Sequence, residues 1–166
     1  MPGSHYKRAP IVEAIIDFKV GFDDRPSISA LSKLAKSNAA GFRMPQEVRR
    51  QSIGIRGAKG GKPSVALRAQ ETQGFRLTSK SGERVLTVRA DGFSYSHMAP
   101  YSNWEKFQEE AKEHWTKYRD SLKPKVIHRY AVRYINRFVL GVSPLDTNQY
   151  FNIGAEVPRD VPHSIE

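Results

Sequence analysis

Residues 126–140, VIHRYAVRYINRFVL, restrict the fold more than any other stretch of the chain. Val, Ile, Tyr and Phe dominate it, Pro124 precedes it and Gly141 follows it. Stiff and flat side chains of this kind suit a pleated surface, and the flanking residues are natural breakers. Side chains of a strand alternate between its faces. Val126, His128, Tyr130, Val132, Tyr134, Asn136 and Phe138 then form a mostly apolar, aromatic face. Ile127, Arg129, Ala131, Arg133, Ile135, Arg137 and Val139 form a face of arginines separated by small or apolar residues. A helix would also stack positions 129, 133 and 137, but it would scatter the aromatics without an apolar stripe. The strand reading is preferred, and the sheet is expected to be organised about it.

Three arginines on one strand face have two readings. In one, they lie over the sheet and pair with carboxylates of neighbouring strands. In the other, they converge on an anion such as phosphate, which suits the planar guanidinium fork. Residues 11–20, IVEAIIDFKV, bear on the choice. This stretch follows Pro10 and reads as the first strand, with Val12, Ala14, Ile16, Phe18 and Val20 on an apolar face. The other face carries Glu13, Asp17 and Lys19. If the two strands are neighbours, Glu13 and Asp17 opposite the arginines are the ordinary explanation of both patterns.

Length and composition fit one soluble globular domain over 1–157 with a tail at 158–166. The chain has 166 residues, 39% of them hydrophobic and 27% charged. Its formal net charge is +10 and its pI about 9.9, so nucleic acid, an anionic surface or an acidic protein is a natural partner. It contains no cysteine, which excludes disulfides, thiolate metal sites and a cysteine nucleophile. No apolar run reaches transmembrane length and the N-terminus lacks a signal-peptide core, so a cytoplasmic location with no membrane partner is expected.

The rest of the chain supplies two helices and a meander. Ser27 or Ser29 can cap a short helix to about Asn38, with Ile28, Leu31, Leu34 and Ala35 at helical spacing. VRRQSIGIR, at 48–56, reads as a strand leading into the basic loop GAKGGKPS. That loop is not a phosphate-binding P-loop: Gly57 stands one residue too close to Gly61-Lys62, and Pro63 replaces the required Ser or Thr. Residues 65–98 read as antiparallel strands, with Gly74 between VALRAQET and FRLTSK and with Ser81-Gly82 and Asp91-Gly92 as turns. Residues 43–89 hold eleven Lys or Arg against three Asp or Glu, so most of the excess charge falls there. Ser102 with Glu105 fits a capping box for a long helix over 103–122. Trp104, Phe107, Ala111, Trp115, Tyr118 and Leu122 form its apolar stripe, expected to place Trp104 and Trp115 on Tyr130 and Tyr134. Residues 146–157 read as one more short strand. The fold class is α+β: an antiparallel or mixed twisted sheet of about six to seven strands, the long helix packed on one face.

Tyr6, PIVEAIIDF at 10–18, DGF at 91–93, PYSNWEKF at 100–107 and RYINR at 133–137 together resemble a sporadically distributed bacterial family of uncharacterised proteins. The resemblance runs from Tyr6 to about Phe151 and implies an α+β protein without assigning an activity. Members of that family are longer, so the chain is expected to be a shortened member or a fragment, with an exposed edge or face where a missing half or a second copy packs.

No catalytic signature is present. His5, His97, His114, His128 and His163 form no metal-binding spacing, and neither G-x-S-x-G nor G-x-G-x-x-G occurs. No cofactor is implied. The first functional expectation is a non-enzymatic binding protein for nucleic acid or an acidic protein. Its polyanion-binding residues would be Arg76, Arg84, Arg89, Lys59 and Lys62, with Phe75, Phe93 and Tyr95 stacking bases. The second is an enzyme or sensor for a phosphorylated small molecule, held by Arg129, Arg133, Arg137 and Lys19, with Glu13 and Asp17 available to a metal. The third is a structural subunit of a homo-oligomer or complex.

Overall fold

The computed structural model describes residues 9–56 and 64–139. The basic loop with Lys59 and Lys62, the strand expected at 146–157 and the tail lie outside the described residues. Over the described residues the fold is α+β: a six-stranded, open, antiparallel sheet with two helices. The strands are β1 (Ile11–Gly21), β2 (Gln46–Arg56), β3 (Ser64–Thr78), β4 (Arg84–Arg89), β5 (Gly92–Met98) and β6 (Val126–Asn136). The helices are α1 (Ile28–Ser37) and α2 (Trp104–Leu122). The sheet order is β2-β3-β4-β5-β1-β6. Among the described strands, the arginine-bearing β6 is therefore an edge, and β1 and β5 lie inside the sheet.

Both helices cover the same face. Ala14, Ile16 and Val20 of β1 join Phe75 and Leu77 of β3, Leu86 and Val88 of β4, and Phe93 and Tyr95 of β5 in one buried cluster. Leu31, Leu34 and Ala35 of α1 and Phe107, Ala111 and Tyr118 of α2 close it from above. Each large apolar side chain so buried contributes roughly 1.5–3 kcal/mol. Ser27 caps α1, its hydroxyl accepting from the Ala30 amide at 3.2 Å, and Asn38 ends it. The cap of α2 is Asn103 rather than Ser102: its side-chain oxygen accepts from the Lys106 amide at 2.9 Å. Asn103 is the residue with extended backbone directly before the helix, which is the geometry a cap requires.

Four local expectations are corrected. Gly74 does not separate two strands; β3 runs through it, because Val88 of the neighbouring strand approaches so closely that only a glycine fits. The β4–β5 turn consists of Ala90 and Asp91, and Gly92 is already paired with Arg89. Tyr130 and Tyr134 do not receive Trp104 and Trp115 as a set. Trp115 stacks on Phe18 at 4.2 Å, Tyr130 tilts onto Phe18 at 5.0 Å, and Tyr134 meets Tyr101 at 5.8 Å. Finally, alternation along β6 is broken. A bulge between the Lys19 and Val20 pairings sets Ile127 opposite Val20, on the helix side instead of the arginine face.

Candidate functional site on the helix-free sheet face

No described helix covers the second face of the sheet, and its rows can be read strand by strand from the register. One row runs Arg76, Thr87, Ser94, Asp17, Ala131 across β3, β4, β5, β1 and β6. The next runs Gly74, Arg89, Gly92, Lys19, Arg129. A third holds Thr78, Val85, Ser96, Ile15 and Arg133. Cations thus flank a strip of hydroxyls with one carboxylate at its centre.

That carboxylate, Asp17, is 5% exposed. Arg129 donates to its Oδ1 at 2.6 Å, and Arg89 donates to its Oδ2 at 3.2 Å. The Arg129 contact is diagonal, since Asp17 sits directly opposite Ala131. Arg89 reaches Asp17 across the intervening β5, and Gly92 makes the passage. A Cβ there would lie 2.9 Å from Arg89 Nη2 and collide with the Phe18 carbonyl oxygen. Arg89 also pairs with Asp91 at 3.3 Å, and its carbonyl accepts from the buried Tyr118 hydroxyl at 2.8 Å. Strand β4 is thereby tied to α2 on the opposite face and to β1 within the sheet. Lys19, Arg76 and Arg133 form no ion pair with a described residue, and all three are exposed.

The expected site residues divide accordingly. The carboxylate–arginine pairing predicted between β1 and β6 exists for Asp17 with Arg129; Glu13 stands opposite Ile135 and takes no arginine among the described residues. Arg133 lies opposite Ile15, and Arg137 falls beyond the end of β6, where its amide donates to the Pro10 carbonyl at 2.9 Å. The proposed polyanion set does not share one surface. Arg76 and Arg89 are on the helix-free face, whereas Arg84 is on the helix side opposite His97. Arg84 holds Glu110 of α2 through two hydrogen bonds of 2.6 and 3.2 Å, and the Tyr95 hydroxyl donates to Glu110 at 2.9 Å. Burial raises the Glu110 carboxyl, but the Arg84 and Tyr95 hydrogen bonds outweigh it and hold the group below its usual range. The parity of β4 contained this information: Arg84 is in phase with Leu86 and Val88, whereas Arg89 is in phase with Thr87. Phe75, Phe93 and Tyr95 are 8%, 0% and 2% exposed under the helices, so they offer no stacking surface.

Two histidines are packed. His114 Nδ1 lies 3.0 Å from Asn38 Oδ1, and its ring meets the edge of Phe42. The Asn38 amide nitrogen is used on the Leu34 carbonyl, so its oxygen is the acceptor and Nδ1 of His114 carries the proton. His97 is 2% exposed beside Arg84, and its Nδ1 has no hydrogen-bond partner among the described residues. Burial is the largest cause that lowers both pKa values, followed by the Arg84 charge for His97 and the Lys117 charge for His114. Among the described residues, no three His, Asp or Glu side chains are grouped closely enough to hold a metal ion, and no helix is long and apolar enough to cross a membrane.

A groove lies on the helix side between α2 and β6, because α2 packs over β5 and β1 and leaves the edge strand uncovered. Two adjoining cavities of about 390 and 380 Å³ share Trp115 and Ile127. Ile16, Phe18, Ala111 and Tyr130 make the larger one apolar, with Gln108 and Lys112 at its rim. No protein-family model, curated protein or solved structure matches the chain.

Proposed function

We propose that the protein is a binding module, not an enzyme, and that it docks an acidic protein partner on the helix-free face of its sheet. One observation carries this reading: among the described residues, the only buried carboxylate of that face, Asp17, is already shared by Arg89 and Arg129, while Lys19, Arg76 and Arg133 remain unpaired. The face is therefore left with excess positive charge on a rigid sheet. Such a field speeds encounter with an acidic surface and selects against basic ones. Both carboxylate oxygens of Asp17 are taken up by guanidinium groups, so neither is open to a metal or a substrate. The face also carries no Phe, Tyr or Trp among its described residues, which favours an acidic protein over single-stranded nucleic acid, whose binding draws on base stacking.

The test is binding of the full chain to labelled polyglutamate, single-stranded RNA and duplex DNA across a salt series. Polyglutamate should bind at low salt, weaken steeply as salt rises, and release when Lys19, Arg76 and Arg133 are all changed to Glu. Tighter binding of RNA or duplex DNA than of polyglutamate would move the partner to nucleic acid. No binding by any of them at low salt removes the reading.

A further inference from the structure

We infer that the outer edge of β6 accepts one additional strand from the acidic partner, a segment with carboxylates at alternate positions and apolar side chains between them. This deepens the reading above and rests on it. Strand β6 is the last in the sheet order and spans Val126–Asn136, 11 residues with β1 on one side only. No described strand pairs with its other side. Unpaired backbone groups over such a length form a template for β-addition.

The chemistry of an added strand follows from the two sides of β6. Toward the helices, Ile127, Tyr130 and Tyr134 are 49%, 54% and 42% exposed beside the apolar groove lined by Trp115 and Phe18. On the other side stand Arg129 and Arg133, both exposed. Side chains of a strand laid alongside would alternate between these surroundings. One set would enter the groove and the other would meet the guanidinium groups at cross-strand distance, roughly 5 Å. Edge arginines also repel foreign sheets, but that role leaves the exposed apolar groove on the other side without an explanation.

A second copy fits less well. Antiparallel pairing of two β6 strands about an axis perpendicular to the sheet keeps like faces together. Arg129 and Arg133 of both copies would then share one surface, and like charges directly opposite are destabilising. Charge complementarity selects an acidic strand.

The experiment uses the full chain and a labelled peptide of about eight residues alternating valine and glutamate, a length suited to one strand. It should bind, protect β6 amides that exchange freely in the unbound protein, and weaken about tenfold on Arg133→Glu, as loss of charge-assisted contacts requires. N-methylation of every second peptide nitrogen, or lysine in place of glutamate, should abolish binding. Equal binding of the N-methylated peptide overturns strand addition; if polyglutamate still binds, the helix-free face remains the docking surface and only this inference fails. Failure of both peptides at low salt ends both. Outer β6 amides already protected in the free chain would show the edge filled by the chain itself when independent of protein concentration, or by a second copy when dependent on it; either result overturns the inference.

Discussion

Arg89 and Asp17 belong to strands that are not neighbours, yet their side chains meet at 3.2 Å over the backbone of β5. The contact exists because Gly92 leaves a gap in the row between them. Asp17 in turn holds Arg129 at 2.6 Å, so one carboxylate links β4, β1 and the edge strand β6.

Gly92→Ala tests that gap. The new methyl would press on the Phe18 carbonyl, which is backbone and has little freedom to move. A loss of about 2 kcal/mol is expected, the usual cost of forced overpacking. Urea unfolding measures it; an unchanged midpoint would show that the rows adjust without strain.

Asp17→Asn should act in opposite directions on stability and binding. Two arginines lose their shared anion, which costs about 1–2 kcal/mol after allowing for the exposure of Arg129. The same change frees both guanidinium groups, so polyglutamate should bind more tightly at a given salt concentration. A variant that binds more weakly while still folded would contradict docking on this face.

Glu110 should contribute to acid unfolding. Its carboxyl is held below its ordinary value of 4.5 in the folded chain. A depressed carboxylate stabilises fully above its unfolded pKa, and that stability is lost as pH falls from about 4.5 through the lower folded value. Glu110→Gln should cost about 2 kcal/mol at neutral pH, since Arg84 is left with a neutral partner. It should also flatten the decline of stability below pH 4.5, measured by denaturant midpoints at several pH values. An equally steep decline in the variant would place the acid sensitivity elsewhere.

His97 and His114 act in a higher window. Burial disfavours the charged ring, so both should titrate below the ordinary 6.5 in the folded protein. The unfolded chain then takes up protons first, and stability is complete above about 6.5 and declines as pH falls toward the folded values. NMR titration of the two rings is the direct check; a midpoint at or above 6.5 for either would mean that its ring is solvated.

Much of the architecture was legible locally. The apolar stripe from Trp104 to Leu122 specified α2, and the alternation of apolar residues from Val12 to Val20 specified β1 and its apolar face. Ser27 and Ser29 both marked the start of α1, and the structure uses Ser27. The parity of β4 already separated Arg84 from Arg89, although a reading based on charge density joined them. Ile127 was misplaced because a bulge is a property of two paired strands. Asp91-Gly92 had the composition of a turn, but Gly92 is required by a carbonyl and a guanidinium that arrive from elsewhere.

The sequence by itself determined the α+β class, the helices, the polar and apolar sides of most strands, and the positive charge. These follow from side-chain size, periodicity and ionisation, which act within a few residues. Tertiary structure alone decided that β6 is an edge among the described strands, that Asp17 serves Arg89 and Arg129 together, and that Arg133, Lys19 and Arg76 have no carboxylate partner among the described residues. Those outcomes depend on strand order and register, where residues 72 and 112 positions apart are brought into contact. Many pairings of the same strands would bury similar apolar area, so local pattern does not distinguish them.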